Sequence, residues 1–144
     1  MVEPFSIATG VITVLDATKK SIETLYHIAK GIRDAPETLK TLNKDLAETN
    51  RVIVSVERSV KKENLSKEAN ECLEQTMPLL KDCQKACDDF QAKLKKATSH
   101  SEEDDMSFRD KFRVHRLEKD ASFLHAQLGR YQQTWTVTVG IANL

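Results

Sequence analysis

The chain has 144 residues, of which 40% are hydrophobic and 31% are charged. This is the composition of a globular domain and excludes an intrinsically disordered chain. The 22 basic and 22 acidic side chains leave no net charge, so no overall field attracts nucleic acid, and we expect no nucleic-acid partner. Four glycines and three prolines are few turn-forming residues, which favours long helices.

The cysteine count and the first residues indicate a compartment. Three cysteines form no paired disulfide framework, which favours the reduced thiols of the cytosol. A secretory signal peptide needs basic residues ahead of its apolar run, but here the charged residue ahead of that run is Glu3. The run is also shorter than the roughly 20 residues that a membrane-spanning helix needs. The sequence therefore predicts a cytoplasmic protein without a membrane span.

The first predicted helix covers residues 4–33. Apolar side chains recur at intervals of three and four residues, which is the helical period, and Thr18 is the one polar exception. The pattern allows one helix, with a kink at Gly10, or two helices separated between residues 16 and 21, and its unbroken phase favours one helix. The stripe consists of Ala8, Val11, Leu15, Thr18, Ile22, Leu25, Ala29 and Ile32.

The start of this helix is apolar on most of its circumference. A helix that is apolar all round is either buried in protein or in contact with lipid. The residues alone favour a helix enclosed by the others, and the alternative is a helix that leaves them to enter a bilayer. The residues that cover this circumference are Phe5, Ile7, Val11, Ile12, Val14 and Leu15.

The second predicted helix covers residues 36–62. Asp34 can accept hydrogen bonds from the first free amides, and Pro36 suits the first helical turn. Its stripe is Leu39, Leu42, Leu46, Thr49, Ile53, Val56 and Val60.

The third predicted helix covers residues 66–97. Ser66 is its predicted cap, and Pro78 is expected to kink it. The predicted stripe is Ala69, Cys72, Thr76, Leu79, Cys83, Ala86 and Phe90, with Leu80, Cys87 and Leu94 beside it.

The fourth predicted helix covers residues 106–139, after a polar loop at 98–105. The β-branched residues at 136–140 have no evident strand partner, so we assign them to the end of this helix. Its stripe is Val114, Leu117, Ala121, Leu124, Leu128, Tyr131 and Trp135. Four helices of matched length with short loops predict an all-α fold, an antiparallel four-helix bundle of up-down-up-down topology, in one domain over residues 1–144.

Metal or catalytic chemistry is not indicated. Cys72, Cys83 and Cys87 share a helical face, but structural zinc sites use closely spaced pairs, so we expect these residues to be buried apolar side chains. The four histidines form no metal-binding or catalytic motif, and there is no glycine-rich phosphate loop. We expect no enzyme, no cofactor and no metal.

A basic and aromatic segment at 108–119 is a candidate lipid contact. Basic side chains beside aromatic ones can lie on anionic lipid head groups. The ordinary charged start of a helix is the favoured interpretation. The candidate lipid-head contacts are Arg109, Lys111, Arg113 and Arg116.

Several motifs indicate a family. They are EPFSIA at 3–8, Tyr26, GIRDAP at 31–36, the leucines Leu39, Leu42 and Leu46, and LGRYQQTWTVTVGIA at 128–142. In these residues the chain resembles the HeLo-like domains, which are N-terminal helical modules of fungal NOD-like receptors and related cell-death effectors. HeLo-like domains are related to the HeLo domain of fungal incompatibility proteins and are compared with the four-helix domain of the mammalian necroptosis pseudokinase.

The resemblance implies a function in programmed cell death and innate immunity. An upstream receptor or an amyloid-like signal clusters such domains, the N-terminal helix is exposed, and anionic lipids of the plasma membrane are the target. It also implies that the chain is the N-terminal module of a larger protein. A non-lytic oligomerisation or adaptor module is the alternative. By this resemblance the membrane-active residues are Val2, Pro4, Phe5, Ile7, Ala8, Gly10, Val11, Ile12, Val14 and Leu15.

Overall fold

A computed structural model describes the backbone of residues 4–32, 35–61, 65–99 and 113–142, and side chains from residue 10 to residue 141 within those ranges. The described residues form helices and the short connections beside them, with no strand. The helices are α1 (Pro4–Lys30), α2 (Glu37–Val60), α3 (Lys67–Ala97) and α4 (Glu118–Ala142). A short helical segment at 113–116 precedes α4. The chain is therefore an all-helical bundle.

α1 is one continuous helix of 27 residues, so the two-helix alternative is excluded. Its last turn closes through a hydrogen bond of 3.1 Å from the Gly31 N–H to the His27 carbonyl. The helix ends at Lys30 instead of residue 33 because the Ile32 N–H bonds to the Ala29 carbonyl at 3.2 Å, a tighter turn than an α-helical one. The predicted kink at Gly10 stays a prediction.

α2 begins one residue later than predicted. Pro36 occupies the cap position, so its assignment to the first helical turn is wrong. The Pro36 carbonyl accepts hydrogen bonds from the N–H groups of Leu39 at 3.0 Å and Lys40 at 3.1 Å, and no side chain caps the helix. The predicted cap Asp34 lies outside the described residues.

α3 begins as predicted, because the Ser66 hydroxyl accepts a hydrogen bond of 3.0 Å from the Ala69 N–H. The helix continues through Pro78 without interruption. Its buried stripe differs from the predicted one, since Cys72, Leu79 and Ala86 are only half-buried. The buried positions are Ala69, Leu73, Thr76, Leu80, Cys83, Cys87, Phe90, Leu94 and Ala97.

The single fourth helix at 106–139 is wrong in its bounds. A turn at Leu117 separates the segment at 113–116 from α4. There the Leu117 N–H bonds to the Val114 carbonyl at 3.0 Å, and the Leu117 carbonyl then accepts from the Ala121 N–H at 2.8 Å. The β-branched stretch at 136–140 is helical, as predicted, and α4 continues to Ala142. Residues 106–112 lie outside the described part of the chain.

The helices pack in a ring. α1 lies against α2 and α3, and α4 lies against the same two helices from the other side. α1 therefore faces α4 across one diagonal, and α2 faces α3 across the other. α2 and α3 follow each other in the chain but are not neighbours in the ring. Matched helix lengths alone do not predict this order.

Side-chain contacts give the helix directions. Contacts between α3 and α4 join Thr76 to Thr138 and Lys93 to Asp120, so these two helices run antiparallel. α2 and α4 run in the same direction, because Asp45 lies beside His125 and Thr49 beside Gln132. All seven predicted stripe residues of α2 are buried, which confirms the predicted inner face of that helix.

Candidate functional site

The inner face of α1 is held in the core. Val11 and Leu15 have no exposed surface. Ile12 and Val14 are half-buried and pack against the same core, whereas Thr13 lies on the outer side. Over residues 11–15, therefore, the apolar side chains form a buried stripe with two flanking positions and do not cover the whole circumference.

The other predicted membrane-active residues are only partly described. Pro4, Phe5, Ile7 and Ala8 belong to α1, but their side chains lie outside the description, as does Val2 altogether. Gly10 faces α3, and a Cβ atom built there would lie 3.7 Å from Met77 Cε. This is an ordinary van der Waals distance, so the packing of α1 on α3 leaves room for an alanine at this position.

Thr18 makes the polar contact between α1 and α3. Its hydroxyl lies 2.8 Å from the Val14 carbonyl in its own helix and 3.1 Å from the Leu80 carbonyl in α3. Over residues 14–32 this is the one described side-chain hydrogen bond from α1 to another helix. The buried apolar side chains of α1 include Val11, Leu15, Ile22 and Leu25.

α4 is held to α2 by more polar contacts. The His125 ring Nδ1 hydrogen-bonds to the Asp45 carboxylate. Gln132 Nε2 donates to the Thr49 hydroxyl at 2.8 Å and lies 3.4 Å from the Asp45 carbonyl. α4 is therefore held to α2 by several polar side-chain contacts, whereas residues 14–32 of α1 have one described side-chain hydrogen bond to another helix.

Alternating charges lie along the rim between α1 and α2. Lys61 Nζ is 2.9 Å from Glu57 Oε1 in α2, and Asp16 and Lys19 are the nearby charges of α1. The hydrogen bond from Lys61 lowers the pKa of Glu57 against an opposing effect of burial, and the charges of Lys61 and Lys19 lower it further. Because the folded-state pKa is lowered, this stabilisation is present at neutral pH and is lost as the pH falls through that pKa.

The predicted lipid-head contacts fall into two groups. Arg109 and Lys111 lie outside the described residues. Arg113 is half-buried and Arg116 is exposed, both on the helical segment at 113–116. A hydrogen bond of 2.8 Å between His115 Nδ1 and Glu118 Oε1 spans the turn after this segment.

Two of the three cysteines are part of the core, as predicted, and the prediction that Cys72 is also buried is wrong. Cys83 and Cys87 have no exposed surface, and Cys72 is half-buried. A hydrogen bond from Cys87 and burial raise the pKa of the Cys83 thiol. Among the described residues, no cluster of three or more histidine, cysteine or carboxylate side chains is arranged to hold a metal ion.

We expect only one of the three thiols to react in the folded protein. The thiolate is the reactive form. Burial blocks the reagent at Cys83 and Cys87, and the raised pKa of Cys83 also disfavours its thiolate. Titration with a thiol-specific chromogenic reagent should therefore modify Cys72 under native conditions and all three residues after denaturation. Rapid native modification of Cys83 or Cys87 would contradict the described core, and Cys72→Ser is the control that should remove the native signal.

The described helices include none with both the length and the hydropathy to cross a bilayer. Sequence reasoning also missed two features of α4. One is the contact between Asp45 and His125, which depends on the helix arrangement. The other is an outer face that carries a single formal charge after residue 121, that of Arg130, which the scarcity of charged residues in that part of the sequence could have indicated.

Comparison with known families gives one match. The family model described as pigment biosynthesis cluster protein PigL N-terminal matches residues 2–144. The chain belongs to this family. No curated protein and no solved structure gave a match. Membership of the PigL N-terminal family is consistent with the HeLo-like resemblance at the level of a fungal-type helical bundle.

Proposed function

We propose that this PigL N-terminal domain is a fungal cell-death effector that oligomerises and permeabilises the plasma membrane through α1. In this proposal the fold is a four-helix bundle whose successive helices alternate up and down along the chain, so that α2 and α4 lie side by side in the same direction. The protein is cytoplasmic before an upstream receptor or amyloid-like signal clusters it, and anionic lipids are its target. Support comes from the motifs at 3–8 and 31–36 and from the ring of packed helices.

The observation that carries the proposal is the apolar attachment of α1. Its described contacts with the neighbouring helices run through side chains such as Val11 and Leu15, with one side-chain hydrogen bond from Thr18 over residues 14–32. Apolar contacts are non-directional, so lipid tails or a second apolar surface can replace them. Buried hydrogen bonds are harder to replace, because each group needs a new partner of suitable geometry.

The free energy of burial limits how much of α1 can be released. Val11 and Leu15 together contribute roughly 3 to 6 kcal/mol of burial, at about 1.5 to 3 kcal/mol for each side chain. Releasing Ile22 and Leu25 as well would about double that cost, which approaches the roughly 5 to 15 kcal/mol stability of a whole domain. Release of α1 only as far as Thr18 therefore costs less free energy than release that includes Ile22 and Leu25. Contacts with lipid or with another protein must offset that cost.

Tethering α1 to α3 tests this proposal. Cysteines replace Gly10 and Met77, whose tip lies 3.7 Å from a Cβ at residue 10, in a background with Cys72→Ser. A cleavable bismaleimide joins them, and dye leakage from anionic vesicles is measured before and after cleavage. We expect no leakage from the tethered protein and leakage restored by cleavage.

The same protein carrying only Gly10→Cys is the matched control, and it should leak throughout. Equal leakage with and without the tether would show that α1 does not need to leave α3. If oligomers of the untethered domain fail to leak any anionic vesicle, the membrane function is wrong.

A non-lytic oligomerisation or adaptor module is the second candidate. The burial of Val11, Leu15, Ile22 and Leu25 favours it, because these side chains belong to the shared core. Hydrogen exchange of residues 10–18 with added anionic vesicles separates the two functions. Protection equal to that of α2 supports the adaptor, and selective loss of protection supports the membrane effector.

A further inference from the structure

The outer face of α4 is unlike the outer faces of the other helices. We define it as the exposed residues Ser122, Phe123, Ala126, Gly129, Arg130, Gln133, Thr134, Thr136, Val137 and Gly140. Phe123 and Val137 are 64% and 62% exposed, and they are the large hydrophobic side chains of the described chain that lie open to solvent. The two positions are about 21 Å apart along the helix at 1.5 Å per residue.

This face is nearly free of charge. From Ser122 to Gly140, Arg130 is its one formally charged side chain, although 31% of the whole chain is charged. Lys119, exposed in the first turn of α4, lies on the same side of the helix but before this face begins. The outer face of α2, by contrast, carries Lys40, Lys44, Glu48 and Arg51. A face with so few charges suits contact with protein better than contact with water or anionic head groups.

The two threonine hydroxyl groups on this face are directed to their own helix. The Thr134 hydroxyl donates to the Arg130 carbonyl at 3.2 Å, and the Thr136 hydroxyl donates to the Gln132 carbonyl at 2.7 Å. These donors are already satisfied, so a partner need not supply acceptors for them. Cβ atoms built at Gly129 and Gly140 would meet nothing within 4 Å, which leaves open space for side chains from outside.

From these features we infer that the outer face of α4 binds the same face of a second copy of this chain. In an antiparallel pair with its two-fold axis midway between residues 131 and 132, each large exposed side chain lies opposite a small residue. Phe123 faces Gly140 of the other copy, and Val137 faces Ala126. The self-complementary face required by a two-fold dimer is thus present in one helix.

The remaining positions fit the same axis. Thr134 lies opposite Gly129, and Arg130 lies opposite Gln133, whose side-chain carbonyl can accept from the guanidinium. The two copies of Arg130 are offset along the axis and do not face each other. A two-fold contact brings the charges of a face close to their own copies, so a face with one charge over residues 122–140 meets itself with little repulsion.

Small residues also let two helix backbones approach closely, which increases the packing contact along the seam. This dimer supplies the self-association on which the proposed effector function rests, but it is measured in solution without lipid. Failure of the dimer and failure of the membrane activity are therefore separate results.

Sedimentation of the full 144-residue chain over a concentration series tests the contact. We expect a reversible dimer in the unchanged protein and about tenfold or weaker association in Val137→Glu, because two carboxylates are then placed in an apolar seam. Gln75→Glu, at an exposed position on α3, is the matched control and should dimerise like the unchanged protein. Circular dichroism confirms that each variant stays folded.

Cysteine cross-linking tests the register. In a Cys72→Ser background, a mixture of Ala126→Cys and Val137→Cys chains should form a disulfide heterodimer under mild oxidation, and neither variant should cross-link alone. A protein that stays monomeric at all soluble concentrations overturns the inference, as does a dimer that Val137→Glu leaves unchanged or one that lacks this cross-link. Vesicle binding by a monomer that depends on Phe123 and Val137 would overturn it in favour of lipid.

Discussion

Replacement of Leu15 by alanine is expected to lower the free energy of unfolding by about 2 to 5 kcal/mol. Leu15 has no exposed surface and lies in the core that α1 shares with α2 and α3. The substitution removes buried methyl groups and leaves a cavity that the neighbouring helices can close only in part. Urea unfolding followed by far-ultraviolet circular dichroism measures this loss.

Val14→Ala is the matched control, one residue away on the same helix. Val14 is half-buried, so its truncation should cost roughly 1 kcal/mol or less, in proportion to the smaller buried area that is lost. Equal effects of the two substitutions would contradict the orientation of α1, because they would place both side chains equally deep. A negligible effect of Leu15→Ala would contradict the packing of α1 on the bundle.

The burial of Leu15 also limits which changes in α1 can test the membrane function. A substitution with glutamate at Leu15 would place an unpaired charge in the core and would unfold the domain, so it cannot separate membrane activity from stability. The tether between residues 10 and 77 can, because it leaves the fully buried side chains of α1 unchanged. An effector in which α1 is both core and membrane element must lose stability in order to act.

The sequence predicted the inner faces of α1 and α2 well. In α2 every stripe position is buried, because most of the positions between them are polar or charged and favour one orientation of the helix. In α1 the single polar stripe residue, Thr18, is buried together with its apolar neighbours and is satisfied by two carbonyl groups. A periodic pattern with clear contrast therefore determines the orientation of a helix without further information.

The register of α3 could not be predicted in the same way. Leu79 and Leu80 are both apolar, as are Cys72 and Leu73, so two stripes rotated by one residue fit the pattern equally. The structure buries Leu73 and Leu80. That choice depends on the neighbours of the helix, α1 and α4, and those neighbours are not encoded in the local period.

The candidate site also has one part that the sequence predicts and one part that it does not. The apolar stripe of α1 follows from the local pattern, but the ring order of the helices does not. Because α4 and not α3 lies beside α2, His125 meets Asp45 across a contact between residues far apart in sequence. The outer face of α4 became a candidate interface only when burial showed which of its apolar residues are left exposed.

Replacement of Trp135 is the second substitution that we expect to lower the stability of the fold strongly. Trp135 is the one tryptophan of the chain, it has no exposed surface, and its ring stacks on Tyr131 with centroids 5.5 Å apart. Trp135→Ala is expected to lower the free energy of unfolding by about 3 to 5 kcal/mol, because it removes the largest buried side chain from α4. Denaturant unfolding followed by circular dichroism measures the loss without relying on the indole signal.

Trp135→Phe separates volume from hydrogen bonding. The indole Nε1 is buried without a hydrogen-bond partner, so phenylalanine loses packing volume but no hydrogen bond, and we expect a cost of roughly 1 to 2 kcal/mol. A cost equal to that of Trp135→Ala would mean that the indole N–H has a partner after all.

Trp135 lies on the side of α4 opposite Val137, so Trp135→Ala should weaken both the fold and any dimer. Val137→Glu should weaken the dimer alone, and this contrast distinguishes the inner and outer roles of the same helix.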